Sequence, residues 1–245
     1  MSNIVKLLTR GDCTNPGVFL VYWSTGLVTK GIVRVSVTGT GDRRIQSELA
    51  ALRHLLVNRN VAGHNKAGAG LVLHVSCPEI AKLVRSESNT DHLVRYGNFL
   101  RTRFLGMTLV TGSAAPDWAT PDCALNLEDL DVIEAEPEFV NIGGIGKVEL
   151  SVHALERFVA RLGCRSDRAW KKLLAMAETA TPVLIEKGPA ALIRDAVASS
   201  QYAVNSGGTI LFVVARSHAN PQGRALVTVY DVSDGMTKWR QISTS

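Results

Sequence analysis

Apolar and polar positions follow two rhythms along this chain, and the change of rhythm divides it. The uninterrupted run Val18-Phe19-Leu20-Val21-Tyr22-Trp23 predicts a central strand. Residues 27–38, with Ile32, Val33, Val35 and Val37, predict a second strand, joined to the first by a hairpin at Thr25-Gly26. Gly39-Thr40-Gly41 closes it, and Asp42 caps a helix reaching about Asn58, where Ile45, Leu49, Leu52, Leu55 and Leu56 recur at helical spacing. A strand at 71–75, helices at 79–86 (opened by Pro78) and 91–103, and a short strand at 107–110 complete this half.

The second half runs differently. Ser151 caps a helix at 152–162, which Gly163 stops, and a second helix follows at 167–179. A short strand at 182–186 and a short helix or loop at 189–198 come next. Strands at 202–205, 209–215 and 225–232 then form an antiparallel meander. The pattern predicts an α/β mixed sheet followed by a small α+β domain of two helices and then an antiparallel sheet.

Charge sharpens the boundary. Residues 113–146 hold eight acidic residues and no Lys, Arg or His, together with Pro116, Pro121, Pro137 and the run Gly143-Gly144-Ile145-Gly146. This predicts a domain at 1–112, an acidic linker at 113–146 and a domain at 147–245. The chain as a whole carries +5, and without those eight negatives the remainder stands at +13, which fits a polyanionic partner. A hydrophobic fraction of 46% excludes a wholly disordered chain. No uncharged apolar run approaches the ~18–20 residues of a membrane span. The first residues lack the pattern of a secretory signal, so a cytoplasmic protein with no membrane partner is expected. Cys13, Cys77, Cys123 and Cys164 form no CxxC motif and are expected as unpaired thiols.

The order hairpin, helix with an early acidic residue, strand, helices resembles the ribonuclease H-like fold over about residues 18–118. Within it Gln46-Ser47-Glu48-Leu49-Ala50-Ala51-Leu52 is similar to that family's x-x-Glu-Leu-x-Ala-Leu helix. The resemblance implies chemistry by several carboxylates converging on two divalent metals. Here the run read as the first strand ends Tyr22-Trp23-Ser24-Thr25, and the later strand ends His74-Val75-Ser76-Cys77, neither with an Asp. Glu48 remains, and Asp117 stands as a late carboxylate. No metal site and no cofactor is therefore expected, and the domain reads as a non-catalytic scaffold or binding module. Glu48 itself reads either as a remnant of the site or as a solvated residue near a helix start. Arg43 and Arg44 are candidate phosphate contacts, and Tyr96, Phe99 and Phe104 are either core or stacking residues.

On the helix of the second half, Leu155, Phe158, Val159 and Leu162 form a buried face, and His153, Arg157 and Arg161 form a second stripe at i, i+4, i+8. Such a stripe suits an anion: Arg binds phosphate in bidentate fashion and His moves protons near neutral pH. The motif Ser-x-His-Ala-Leu-Glu-Arg-Phe-x-x-Arg and the elements after it resemble the barnase, EndoU, colicin and RelE-like superfamily of metal-independent ribonucleases, many of them toxins of bacterial and phage genomes. That resemblance implies RNA cleavage by 2′-hydroxyl attack. His153 would serve as general base or acid, Arg157 and Arg161 would hold the phosphorane, and Thr228 or Tyr230 would add a hydrogen bond. Lys171 and Lys172 on the following helix are further phosphate candidates, and His218 lies in a loop nearby in sequence.

Two readings follow. One is a phage- or mobile-element-type RNA-binding protein that acts as an endoribonuclease through His153 and Arg157, with RNA favoured over DNA. The other is a non-catalytic protein that engages a host protein or nucleic acid with two recycled nuclease folds. In either, the acidic linker is a candidate internal competitor for phosphate, lying over the basic helix. The pattern specifies no oligomeric state.

Overall fold

The computed structural model describes residues 3–25, 29–38, 41–63, 68–87, 90–112, 118–119, 126–187, 200–217, 223–233 and 237–241. The chain divides into two compact units, Met1–Glu136 and Pro137–Ser245.

The first unit opens with a strand that the sequence reading left out. Asn3–Gly11 (β1) alternates buried Val5, Leu7 and Thr9 with half-buried or exposed Ile4, Lys6, Leu8 and Arg10. This is the period-2 pattern of a sheet strand. A tight turn returns the chain, with the Thr14 amide and hydroxyl both donating to Asp12 Oδ1 at 2.9 and 2.7 Å. Gly17 there takes φ of 99°, a conformation that disfavours any Cβ. Val18–Thr25 (β2) and Thr29–Val37 (β3) extend an antiparallel meander. The run read as the first strand is therefore the second.

Arg43–Arg53 (α1) follows, continued by a π-helical turn over His54–Asn58. Leu71–Val75 (β4), Pro78–Val84 (α2), Asp91–Thr102 (α3) and Thr108–Thr111 (β5) complete the order that the ribonuclease H-like resemblance implied. β4 lies parallel to β1, and β5 parallel to β4. With Leu127–Val132 (β6) the mixed sheet runs β5-β4-β1-β2-β3-β6. One face of this sheet meets the helices: Val5, Leu7, Val21, Trp23, Val33, Val35, Leu71 and Leu73 form one core with Leu49, Leu52, Leu55, Phe99 and Leu100. Phe99 and Phe104 are core residues there, in edge-to-face contact at 6.2 Å.

The described part of the stretch expected as an acidic linker is built into sheets: it supplies β6 to the first sheet and Phe139–Ile142 (β7) to the second. β6 lies parallel to β3; Leu130 and Val132 pack against the core, while Glu128 and Asp129 pair with Arg59 and Arg34.

In the second unit β7 and Gly146–Leu150 (β8) form a hairpin before the helices Val152–Leu162 (α4) and Ser166–Glu178 (α5). Ser151 Oγ caps α4 by accepting from the Ala154 amide at 3.1 Å, and Gly163 ends it in the left-handed conformation at φ 55°. Thr181–Lys187 (β9), Gln201–Val204 (β10), Ile210–Arg216 (β11), Arg224–Asp231 (β12) and Lys238–Gln241 (β13) follow. The sheet order is β13-β9-β10-β11-β12-β8-β7. The meander is antiparallel as expected, but β8 joins β12 in parallel, so the whole sheet is mixed. The helix or loop expected at 189–198 lies outside the described residues. Among the described residues no helix is long and apolar enough to cross a membrane.

Candidate functional site

The first unit's site forms where α1 crosses the ends of β1 and β4. Asp42 Oδ1 accepts from the Ile45 amide at 3.2 Å and starts the helix. Ile45, Glu48, Leu49 and Leu52 then fall on one face by helical spacing. That face is the core face, so Glu48 is carried inside and is fully buried. The reading of Glu48 as a solvated residue is thereby corrected.

Three donors meet its carboxyl group. Thr9 Oγ1 donates to Oε2 at 2.7 Å, Ser76 Oγ donates to the same oxygen at 2.5 Å, and the Ser76 amide donates to Oε1 at 2.6 Å. The Thr9 amide in turn donates to Ser76 Oγ at 3.0 Å, so β1, α1 and the end of β4 close into one knot. A buried acid without partners costs several kcal/mol, and these donors offset that cost. Cys77 lies beside the knot, and its thiol pKa is raised, first by burial and then by the charge of Glu48.

These residues do not fit a two-metal centre. Such a centre needs several carboxylates aimed at one point. The positions that face Glu48 from β1 and β4 are the neutral hydroxyls of Thr9 and Ser76, and both oxygens of Glu48 are already engaged. Among the described residues no group of three His, Cys, Asp or Glu side chains could hold a metal ion. Asp117 lies outside the described residues. Sequence reasoning missed Thr9 because it missed β1; the alternation of residues 4–10 was the available signal.

In the second unit the five residues expected as a catalytic set fall into separate groups. His153 and Arg157 are exposed on α4, where Arg157 Nε donates to His153 Nε2 at 3.3 Å. Arg161 is turned away. Its guanidinium donates to the Val229 carbonyl of β12 and lies 4.1 Å from the centroid of the Tyr230 ring. Thr228 is buried, and its register partner is Val213, a member of the apolar cluster with Val183, Val204, Leu211 and Val232. Two turns of helix, roughly 12 Å, separate His153 from Arg161. The structure thus pairs His153 with Arg157 and Arg161 with Tyr230, and does not bring the two pairs together. His218 lies outside the described residues.

The other basic candidates are at the surface. Arg43 and Arg44 stand exposed in the first turn of α1, and Arg168, Lys171 and Lys172 are exposed on α5. Within the first unit, three carboxylates of the acidic segment are engaged by neighbouring side chains. Glu128 accepts from His54 Nε2 at 2.9 Å and from Arg59 Nη1, Asp129 holds Arg34 through two contacts of 2.5 and 3.0 Å, and Glu136 takes Arg53 at 3.0 Å. A cleft of about 330 Å³ lies between α1, Tyr96 and this segment, with Arg53, His54, Asp131, Glu134 and Glu136 in its wall. Of the four cysteines, Cys13, Cys77 and Cys164 are free thiols, as expected; Cys123 lies outside the described residues.

No protein-family model matches this chain, and no curated protein matches it. Among solved structures, the ribonuclease H1 of the halophilic archaeon Halobacterium salinarum NRC-1 is similar, with a TM-score of 0.39 and 18% identity, over 51% of this chain and 96% of that one.

Proposed function

We propose that the protein binds nucleic acid without cutting it, using a first unit that keeps a nuclease-like frame as scaffold. The observation that carries this is the knot at Glu48, in which both oxygens of this buried acid serve as acceptors for Thr9 and Ser76. The Thr9 hydroxyl and the Ser76 hydroxyl and amide take three of the roughly four lone-pair sites of this carboxyl group, which suits a structural acceptor better than a metal ligand. The exposed cations Arg43, Arg44, Arg168, Lys171 and Lys172 supply the attraction for phosphate. The likeness of the α4 motif to metal-independent ribonucleases makes RNA the first ligand to try.

A second reading is favoured by one contact. Arg157 holds His153 in a defined orientation on an open helix face, which is the minimum equipment for proton transfer at a phosphate. Structured RNA incubated in EDTA with the wild type and with His153→Ala separates the two. Retention of intact RNA on the protein supports binding alone. Cleavage that survives EDTA and vanishes in His153→Ala makes the second reading correct. Cleavage that needs Mg²⁺ and Glu48 defeats both.

A further inference from the structure

The first sheet has a second face. The core under α1, α2 and α3 takes its sheet residues from one side, leaving Lys6, Leu8, Arg10, Leu20, Tyr22, Arg34 and their neighbours on the other. Across register, Lys6 stands beside His74 of β4 and Ser24 of β2, and Ser24 beside Lys30 of β3. The next row is Leu8, Tyr22 and Ile32, and the row beyond it is Arg10, Leu20 and Arg34. Rows on one face lie two residues apart, roughly 7 Å. A basic row, an apolar row with an aromatic ring, and a second basic row therefore alternate along the strands. Arg10 lies 5.5 Å over the Tyr22 ring and is exposed, Lys6, Tyr22 and His74 are half-buried, and Ser24 and Ile32 are buried, so the accessible part of the face runs over β4, β1 and Tyr22. At the β6 edge Asp129 neutralises Arg34, so the net positive end of the face is over β4 and β1.

We propose that this face is a platform for single-stranded nucleic acid, with the backbone over Lys6, His74 and Arg10 and a base stacked on Tyr22. This rests on the reading that the protein binds nucleic acid, and it adds the place and the strandedness. A duplex offers phosphates but hides its base faces, which would leave Leu8, Leu20 and Tyr22 without a partner. A single strand offers both phosphate and π-surface, the combination that alternating basic and aromatic rows select.

The test uses the full chain and a labelled oligonucleotide of ~20 nucleotides, single-stranded or as its duplex, followed by fluorescence anisotropy. The single strand is expected to bind about tenfold or more tightly than the duplex. Lys6→Glu with Arg10→Glu should weaken it by more than about tenfold, and Tyr22→Leu, which keeps an apolar side chain, by about tenfold. The imidazole resonance of His74 in the wild type should shift as the strand is added, a readout that needs no variant to fold. Lys171→Glu with Lys172→Glu reports on the second unit. If that pair abolishes binding while the sheet variants bind like wild type, or if the duplex is preferred, the platform is wrong and nucleic-acid binding stands. If the wild type binds neither form, both fall.

Discussion

Ser76 Oγ donates to Glu48 Oε2 over 2.5 Å, and this contact joins the end of a strand to a buried helix residue 28 positions earlier. The same oxygen accepts from Thr9. The knot is therefore a tertiary clamp, and its loss should register as stability. Glu48→Ala leaves two hydroxyls and an amide without their acceptor and opens a void, which should cost about 3 kcal/mol. Thr9→Val removes one donor and should cost about 1–2 kcal/mol. Urea unfolding followed by circular dichroism measures both. Nucleic-acid affinity of whatever remains folded should match the wild type, since the knot is closed to ligands.

The same geometry predicts a gain of function. Thr9 and Ser76 both reach one oxygen of Glu48, so Thr9→Asp with Ser76→Asp aims three carboxyl groups at one point. Like charges at that distance repel, and the double variant should melt below the wild type in EDTA. Mn²⁺ or Mg²⁺ should restore it, because an ion bound only by the folded state stabilises in proportion to the logarithm of its concentration. Melting curves across a Mn²⁺ series decide it. A midpoint that ignores Mn²⁺ would show that the three positions do not converge.

Much of this was legible and some was not, for physical reasons. β2, β3, α1 and α4 announce themselves through local apolar spacing and caps, as at Asp42 and Ser151. β6 was hidden because its carboxylates read as a solvated linker. What holds Glu128 and Asp129 there are the side chains of Arg34, His54 and Arg59, 69 to 95 residues away in sequence. Glu48 stood out as a residue type, but its fate did not. Thr9 and Ser76 reach it only because β1 and β4 lie side by side in parallel, a pairing no local pattern encodes. The stripe His153, Arg157, Arg161 was correct as helix spacing and misleading as a single site, since an unforeseen carbonyl and ring on β12 capture its last member.

That capture gives a contrast within one stripe. Arg161→Ala loses a hydrogen bond to the Val229 carbonyl and a stacked contact with Tyr230, together worth about 1–2 kcal/mol. His153→Ala and Arg157→Ala change an exposed pair and should stay within about 0.5 kcal/mol of the wild type. Thermal or urea unfolding of the three variants should therefore single out Arg161. Equal effects would mean that Arg161 is as free as the other two.

His74 makes the last prediction one of pH. Burial first, and the Lys6 cation second, hold its pKa below the ordinary value of 6.5. The unfolded chain then takes up the proton more readily than the folded one. Stability attributable to this group is complete above about pH 6.5 and declines as the pH falls from there toward the lower folded value. Asp12, Asp129 and Asp231 also lose stabilising charge on acidification, but their pKa values lie below the ordinary 3.8, well clear of the histidine window. Lys6→Gln removes the cationic part of the effect and should move the His74 midpoint upward without reaching 6.5, because burial remains. Titration of the His74 imidazole by NMR, beside urea unfolding between about pH 5 and pH 7, reads midpoint and slope independently. A His74 midpoint that does not move in Lys6→Gln would place the two side chains apart, and with them the basic row on which the platform depends.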